Sequence, residues 1–312
     1  MIPLNVRQID NNAWTAARPR LSVAIPFFRY DPRPLLARLD QEAEWAHGAI
    51  EILALDDGGG DPLLAEQVTA FIEAMATPAR LIVLAANEGR AKGRNRLVQA
   101  ARARHILLID CDMAPDAPDF LNRYLALADE DVAAAFGGFT IDSADPAPQY
   151  ALHRALQQRA ECLPAHIRKL TPEKYVYTSN LLVRREVFDA EAFDEGFTGW
   201  GWEDVEWGMR VAARFGVLQI ENTATHLGLD TPEVLAGKYE SSVGNFARVA
   251  ARHPQIVSGY PSYRLASALK RLPLRPIWRA LLKGWAMLPH APLLSRIVAM
   301  KVYRAALYAD VV

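Results

Sequence analysis

The sequence is poor in the features that mark a secreted or membrane-spanning protein. Its 312 residues include two cysteines, Cys111 and Cys162, whose number and spacing suit neither a disulfide framework nor a thiolate zinc site. No apolar run reaches the roughly 18 residues that a membrane-spanning helix needs, and the N-terminus lacks the apolar core of a signal peptide. We therefore expect a cytoplasmic protein without a membrane-spanning segment.

Two other absences exclude whole classes of function. The 35 basic and 36 acidic residues nearly cancel, so the chain has no overall charge that would attract nucleic acid, and we expect no nucleic-acid partner. No G-x-G-x-x-G follows the first apolar run, where IPFFRYDPRP stands. The missing glycines argue against a nicotinamide-dependent dehydrogenase.

The chain does contain a regular alternation of strand and helix patterns. Helical patterns separate four short apolar runs, at 21–28, 50–55, 80–85 and 105–109. Nearly continuous apolar strands alternating with helices predict an α/β fold in which helices flank a mostly parallel sheet. From residue 232 onward the pattern is helical and interrupted by prolines. We predict an N-terminal extension (1–20), an α/β domain (21–230) and a helical, basic C-terminal extension (231–312).

Acidic and amide side chains follow the predicted strands, at the sheet edge where such folds bind ligands. In Asp110-Cys111-Asp112, two carboxylates separated by one residue can share a divalent cation, and Mg²⁺ or Mn²⁺ with oxygen ligands bridges a diphosphate. Asp56 and Asp57 precede three glycines, which lets the backbone approach a planar ligand while a carboxylate accepts a hydrogen bond. Taken alone, this second pattern is more typical of a turn that caps a helix.

Four segments in this order resemble the family 2 glycosyltransferases of the GT-A fold: SVAIPFFRYDPRPLL, LALDDGGGD, NEGRAKGRN and LLIDCDMAP. The resemblance covers residues 21 to about 226 and implies a GT-A-like, Rossmann-like domain that binds a nucleotide-diphosphate sugar donor. It implies a metal ion at Asp112. The donor contacts that it implies are Pro26, Asp56 or Asp57, Asn87, Arg94 and Asp110. Tyr30 stands where the family often has asparagine, so the donor contacts of that loop differ from the family pattern.

The segment FTGWGWEDVEWGMR, residues 197–210, contains the candidate catalytic base. An inverting transfer needs a carboxylate that takes the proton of the acceptor hydroxyl, and Asp204, with Glu203 beside it, is the candidate. Acids in the first turn of a helix also simply stabilise the helix dipole. The G-W-G-x-E-D pattern, however, is similar to the acceptor-side motif of galactosyltransferases, polypeptide N-acetylgalactosaminyltransferases and bacterial chondroitin-type polymerases. That resemblance implies that Trp200 and Trp202 stack on the acceptor sugar.

The same resemblance implies roles for two more residues. Those relatives have a histidine as a further metal ligand at the position of His226, and imidazole with a carboxylate and diphosphate oxygens suits Mn²⁺ better than Mg²⁺. Asn180, in TSNLLVRREVF, falls in a stretch that the family uses beside donor and acceptor, which predicts an acceptor contact. Capping of a strand end is the structural alternative for Asn180.

The sequence thus predicts an inverting, metal-dependent glycosyltransferase with a UDP-sugar donor and a glycan or lipid-linked acceptor, in polysaccharide or cell-surface glycan synthesis. One alternative is a non-catalytic subunit that binds a nucleotide sugar or glycan, against which the intact Asp110, Asp112 and Asp204 argue. Another is a sugar nucleotidyltransferase, whose glycine-rich, basic N-terminal phosphate loop is missing here.

The C-terminal segment is the one strongly basic part of the chain. Residues 264–312 contain nine Lys or Arg and a single acid, Asp310. Apolar residues, Trp278 and Trp285 among them, recur at helical spacing with cations interleaved. Such helices either pack on the acidic remainder of the chain or lie on an anionic membrane surface. In the second case the protein is peripheral at the inner face of the membrane.

Overall fold

The structure, a computed structural model, describes residues 6–312. Eleven strands in this range form one sheet of eight strands and one of three. The strands are β1 (Val6–Asp10), β2 (Leu21–Phe27), β3 (Ile50–Asp56), β4 (Ala79–Leu84), β5 (His105–Ile109), β6 (Met113–Pro115), β7 (Ala134–Phe136), β8 (Phe139–Thr140), β9 (Asn180–Arg184), β10 (Leu218–Gln219) and β11 (Ala224–His226).

The large sheet has the order β1-β4-β3-β2-β5-β9-β7-β10. The four predicted strands, β2 to β5, are parallel to one another, and β10 is parallel to β7. The remaining pairs, β1 with β4 and β9 with both β5 and β7, are antiparallel. The α/β fold with a mostly parallel sheet is therefore confirmed. Strand β1, within the predicted N-terminal extension (1–20), adds an edge strand to the sheet.

Fourteen helices flank these sheets within the described residues. They are α1 (Arg33–Ala43), α2 (Pro62–Ala74), α3 (Arg90–Ala100), α4 (Phe120–Asp129), α5 (Ala151–Ala160), α6 (Ala165–Arg168), α7 (Arg185–Ala190), α8 (Glu203–Phe215), α9 (Pro232–Ser241), α10 (Val243–Arg252), α11 (Pro254–Val257), α12 (Pro261–Leu269), α13 (Arg275–Met287) and α14 (Leu293–Tyr308). None of these helices is both long enough and apolar enough to cross a bilayer.

The main core lies on both faces of the large sheet. The central strands are buried at every or nearly every position, which is why their sequences are almost continuously apolar. Helices α1 to α4 each contribute an apolar stripe to this core, for example Leu35, Leu36 and Leu39 of α1. Burial of such stripes, at about 25 cal/mol per Å² of apolar surface, is the main force that holds the layers together.

The helical C-terminal region packs on the α/β domain through two smaller apolar clusters. In the first, Leu152 of α5 packs with Leu235 of α9 and Met300 of α14. In the second, Phe197 and Met209 pack with Phe246 of α10 and Tyr308 of α14. Helix α14 belongs to both clusters, so it joins the C-terminal region to the segments that lead to the candidate site.

The three-stranded sheet brings two distant parts of the chain together. Strand β11 pairs antiparallel with β6, and His226 lies opposite Met113 in this register. The amide of Leu227 also donates to the carbonyl of Asp112 at 2.9 Å. The end of the last strand therefore lies directly beside the Asp110-Cys111-Asp112 segment.

Candidate active site

Asp112 and His226 form a close pair at the end of the small sheet. The distance from His226 Nε2 to Asp112 Oδ2 is 3.3 Å. Burial alone would lower the pKa of His226, but the hydrogen bond and charge of Asp112 outweigh it and raise that pKa. Burial raises the pKa of Asp112, but the hydrogen bond and charge of His226 lower it further, so that this pKa lies below its ordinary value. The pair is therefore held together by mutual charge before any ligand arrives.

The surroundings of this pair fit a divalent metal ion. A Cβ on Gly228 would lie 2.0 Å from Asp112 Oδ2, so only glycine leaves room for that carboxylate. Within residues 6–312 there is no group of three or more His, Cys, Asp or Glu side chains arranged to hold a metal. The protein thus offers one carboxylate and one imidazole, and a bound diphosphate would have to supply further oxygen ligands, a set that suits Mn²⁺.

Gln157 of α5 contacts the other ring nitrogen of His226. Its Nε2 lies 2.9 Å from His226 Nδ1, while its Oε1 is buried and has no partner among the described residues. If the amide is turned by half a revolution, Oε1 accepts a hydrogen bond from Nδ1–H. With Nδ1–H donated to Gln157, His226 Nε2 faces Asp112; it donates its proton to Asp112 in the unliganded pair and can bind a metal once that proton is lost. No local sequence pattern marks Gln157 as part of the site, because its contact with His226 joins residues 69 positions apart.

Arg94 links two acidic residues, Asp110 after β5 and Glu203 at the start of α8. Its Nη2 donates to Asp110 Oδ1 at 2.8 Å, and its Nη1 lies 3.4 Å from Glu203 Oε1. The Arg94 side chain is only 2% exposed, and its Nε has no partner in the described residues. Arg94, Asp110 and Glu203 therefore form a buried charge network that fixes helix α8 against the end of β5.

Arg90 is a basic residue of the site that the sequence analysis did not single out. It starts α3 one turn before Arg94, and its side chain is 42% exposed. Its guanidinium lies 3.9 Å from Asp110 Oδ2 and 3.8 Å from Glu203 Oε1. Arg90 is thus an accessible cation between the Asp112–His226 pair and the start of α8. Its position in NEGRAKGRN, one turn before Arg94, is the sequence feature that could have identified Arg90 as a site residue.

The two acids after β3 differ in what they bind. Asp57 accepts hydrogen bonds from the amides of Glu88 and Gly89 and from the side chain of Asn87. Both Asp57 oxygens thus hold the turn before α3. Asp56 accepts one bond, from the Gly59 amide at 2.9 Å, and burial raises the pKa of both acids. Of the two, Asp56 keeps an oxygen without a hydrogen-bond partner among residues 6–312.

Pro26, the remaining predicted donor contact, lies in β2 opposite Leu55 of β3 and is partly exposed. The neighbouring loop carries Phe28 and Tyr30, which are 43% and 40% exposed. Burial, followed by the nearby charge of Asp112, raises the pKa of Tyr30. The loop after β2 therefore lies beside Asp112, as its position at a strand end predicts.

Asp204 is the acid of the site with the most perturbed pKa. Burial and then the neighbouring Glu203 carboxylate raise the pKa of Asp204 to about 7, against the lowering effect of Arg94 and Arg90. Neither arginine is paired with Asp204 in the way that Arg94 is paired with Glu203. A carboxylate with a pKa near neutrality exchanges protons readily at physiological pH, which is what a general base requires.

The loop before Asp204 has an unusual backbone. Gly199, Gly201 and Trp202 all have positive φ, at 75°, 81° and 77°. Glycine adopts this region without cost, whereas for tryptophan it is strained and must be held by contacts. Trp202 Nε1 donates to Tyr308 Oη at 3.0 Å, and the indole packs on Phe246. Trp202 therefore anchors the loop on the C-terminal helices.

Trp200 and Asn180 occupy different surroundings from each other. Trp200 is partly exposed and packs against Tyr239, with 6.0 Å between ring centres. Asn180 is fully buried, accepts from Tyr124 Oη, and donates to the carbonyls of Gly138 and Asn222. The predicted acceptor contact at Asn180 does not fit this position, because both amide hydrogens are already donated inside the fold. Asn180 ties the two sheets together.

Solved structures with a similar fold include a mannosyltransferase and TarS. Mannosyltransferase PcManGT from Pyrobaculum calidifontis, in complex with GDP-Man and Mn²⁺, is 16% identical with a TM-score of 0.56, over 96% of this chain and 88% of that one. TarS from S. aureus in complex with UDP is 15% identical with a TM-score of 0.53, over 93% and 90% of the two chains. No curated protein sequence matches the chain.

The family follows from the sequence itself. The model of glycosyl transferase family 2 matches residues 22–191, more than half of the chain. The protein belongs to this family, and the prediction of a glycosyltransferase is confirmed at that level.

Proposed function

We propose that the protein is an inverting, metal-dependent glycosyltransferase that moves a sugar from a UDP-sugar to a glycan or lipid-linked acceptor in polysaccharide or cell-surface glycan synthesis. The observation that carries the proposal is the arrangement around Arg90. This cation lies between the Asp112–His226 pair, which suits a metal-bound diphosphate, and the start of α8, where Asp204 has the pKa of a base.

In this proposal each side chain of the site has a separate role. Asp112 and His226 hold Mn²⁺, which when bound offsets negative charge on the leaving diphosphate. Arg90 adds a second positive charge beside that diphosphate. Asp56 receives the base of the nucleotide with its remaining oxygen. Asp204 takes the proton of the acceptor hydroxyl as this hydroxyl attacks the anomeric carbon.

Arg94 and Glu203 serve this chemistry by positioning. Because Arg94 pairs with Glu203 and Asp110, it holds the first turn of α8 at the edge of the sheet. The pairing also keeps the Glu203 charge compensated, which leaves Asp204 as the acid that exchanges a proton. Asp110 contributes the other end of the network and lies beside the donor ribose or sugar in this arrangement.

UDP is the nucleotide we propose, and TarS supports this choice, since it has been solved with UDP and with UDP-GlcNAc. The test is incubation of the purified protein with a panel of UDP- and GDP-sugars, with and without Mn²⁺, while nucleotide release is measured. We expect release from a UDP-sugar that depends on Mn²⁺. A transfer product that retains the anomeric configuration of the donor would contradict the inverting mechanism.

We further propose that the outer face of α13 places the enzyme on an anionic membrane. Leu274, Ile277, Trp278, Leu281 and Trp285 are each between 47% and 65% exposed. No Asp or Glu occurs between Glu240 and Asp310, so the surroundings of this apolar face are cationic or neutral. Two copies meeting through this face would bring like charges together, whereas anionic lipid complements them.

The cations of the segment are not all available for lipid. Arg275 and Arg279 pair with Asp310, Lys283 pairs with Glu240, and Arg296 donates to the Ala286 carbonyl. Part of the basic segment therefore packs on the rest of the protein, which is the alternative to membrane binding that the sequence left open. The exposed tryptophans and leucines of α13 then contribute more to lipid binding than net charge alone does.

Co-sedimentation with liposomes tests the membrane proposal. A variant with Trp278→Ser and Trp285→Ser should lose binding to vesicles with anionic lipid. The control, Leu63→Ser with Leu170→Ser, should keep it, because these leucines are even more exposed but lie elsewhere. Deletion of the C-terminal helices is not a usable test, since α14 contributes buried side chains to both smaller clusters. A parent protein that stays in the supernatant at low salt would refute the proposal.

A further inference from the structure

Two charged side chains near the proposed base, Arg304 and Glu161, lie within reach of each other's charge but have no direct ion-pair partner among residues 6–312. Arg304 of α14 and Glu161, just after α5, are both half-buried, yet neither makes an ion pair with any carboxylate or cation of residues 6–312. The neighbouring cations Arg275, Arg279 and Lys283 all have carboxylate partners. Partly desolvated charges without partners are costly, so their presence together points to a ligand that satisfies them.

The fold places Arg304 beside the loop that carries Trp200 and Asp204. Arg304 lies one helical turn before Tyr308, whose hydroxyl accepts from Trp202 Nε1 at 3.0 Å. The Arg304 guanidinium lies 5.1 Å from the centre of the Tyr239 ring, and Tyr239 in turn packs on Trp200.

Glu161 approaches from the metal side. It follows Gln157 by one helical turn, and the Gln157 amide contacts His226. Tyr177 lies in the same region, because its ring packs on Phe139, which packs on His226, with 5.9 Å and 6.0 Å between ring centres. Burial raises the pKa of the Glu161 carboxyl, with the opposing charges of Arg304 and His226 close enough to lower it.

We propose that Arg304, Glu161 and the exposed part of the Trp200 ring form the subsite for the terminal sugar residue of the acceptor, an assignment that rests on the proposed function. Sugar hydroxyls both donate to a carboxylate and accept from a guanidinium, and the apolar face of a pyranose packs on an indole ring. A phosphate group matches the site less well, because Glu161 would repel it. The C-terminal helix α14 thus supplies an acceptor contact that the family match, which ends at residue 191, does not include.

Binding of simple sugars tests the subsite directly. The probes are the methyl glycosides of glucose, galactose, mannose, GlcNAc and GalNAc, each added to the full chain with UDP and Mn²⁺ and observed by saturation-transfer NMR. We expect signal from at least one glycoside with the parent protein, and a loss of affinity of about tenfold or more in Arg304→Met and in Glu161→Gln. Methionine keeps an unbranched apolar side chain of similar length beside Tyr239, which limits the structural effect.

Lys301→Met is the matched control, since Lys301 lies one turn earlier on α14 and is exposed. It should leave glycoside binding unchanged, and all three variants should keep the UDP affinity and the melting temperature of the parent. If the parent binds UDP but none of the glycosides, or if Arg304→Met binds them as Lys301→Met does, the subsite is refuted while the proposed function stands. Failure to bind UDP or to release it from any UDP-sugar would refute the proposed function instead.

Discussion

Asp112 and Asp204 are the same residue type in one site, but their surroundings shift the two pKa values in opposite directions. His226 lowers the pKa of Asp112, whereas burial and Glu203 raise that of Asp204 to about 7. The first carboxylate is therefore charged throughout the physiological range and suited to a cation, while the second is poised to accept a proton. These opposite environments are why we propose opposite roles for two chemically identical groups.

The two pKa values differ because the cationic side chains of the site pair with different acids. Arg94 is held by Asp110 and Glu203, so Asp204 makes no ion pair within residues 6–312 and accepts one hydrogen bond, from the Val205 amide at 2.8 Å. The register of β11 on β6 places His226 beside Asp112. Variants that move charge between these positions should therefore separate metal binding from proton transfer.

The largest expected effect is on transfer in Asp204→Asn. The amide keeps the shape of the carboxylate but cannot take a proton, so we expect transfer to fall by about 10³-fold or more with UDP affinity unchanged. Nucleotide release and calorimetric titration of UDP measure the two quantities. Transfer within a few-fold of the parent rate would show that Asp204 is not the base.

The same variant should gain stability at alkaline pH. Because the folded-state pKa of Asp204 lies above its unfolded value, the folded protein binds more protons than the unfolded chain between about pH 4 and pH 7, and stability falls as pH rises through that range. Asp204→Asn removes this loss. We expect a higher melting temperature than the parent at pH 8 and a smaller difference at pH 5, and an equal difference at both pH values would contradict the pKa assignment.

Arg94→Met should produce the next largest effect, on stability. It leaves Asp110 and Glu203 without the buried cation between them, which we expect to cost about 3–5 kcal/mol in the free energy of unfolding, measured with urea. Arg90→Met is the control, because Arg90 is 42% exposed and should affect UDP affinity more than stability. Equal destabilisation by both substitutions would contradict the positioning role of Arg94.

Asp112→Ala should remove the dependence of UDP binding on Mn²⁺ while the fold survives, since the side chain fills no core position. His226→Ala should weaken metal-dependent binding less, because one ligand of several is lost. Titration of UDP with and without Mn²⁺ measures both. Unchanged metal dependence in Asp112→Ala would rule out the metal pair.

Gln157→Leu should have a smaller effect, through His226 alone. Loss of the amide removes the acceptor that fixes the ring tautomer, and such changes lower metal affinity by about 10–100-fold. Gln157→Glu keeps an acceptor at this place and should retain affinity. Mn²⁺ binding followed by electron paramagnetic resonance distinguishes the two variants. Equal Mn²⁺ affinity in Gln157→Leu and the parent would show that Gln157 contributes to packing alone.

The smallest expected effect is the pH dependence of the parent enzyme. With a base whose pKa is about 7, the transfer rate should rise about tenfold from pH 6 to pH 8 and then level off, because only the deprotonated carboxylate accepts a proton. A rate that is flat across this range would separate Asp204 from the proton transfer.

Much of the fold could be predicted from the sequence because the parallel strands are buried on both faces. Runs such as LSVAIPF and IEILALD are apolar at nearly every position, and they alternate with helices. Strand β1 escaped prediction for the opposite reason. Its sequence, VRQID, is mostly polar because an edge strand exposes much of its surface, and only its pairing with β4 identifies it.

The residues of the site were predicted where their function depends on local position. Asp112, His226 and Asp204 follow strands or begin a helix, so a short motif locates them. Asp57 and Asn180 were predicted as ligand contacts, but they hold the Asn87 turn and the carbonyl of Asn222, respectively. Such partners are 30 or more residues away along the chain, and no local pattern distinguishes a carboxylate or amide that binds a ligand from one that binds backbone.

Helix α14 also sets the order in which the working enzyme can arise during synthesis. Its side chains Tyr303 and Tyr308 complete clusters whose other members, Leu152 and Phe197, are made more than 100 residues earlier. A nascent chain that stops before α14 can form the central sheet and the Asp112–His226 pair but leaves the Trp202 anchor without Tyr308. We therefore expect the loop before Asp204 to take its final position only once residue 308 has left the ribosome.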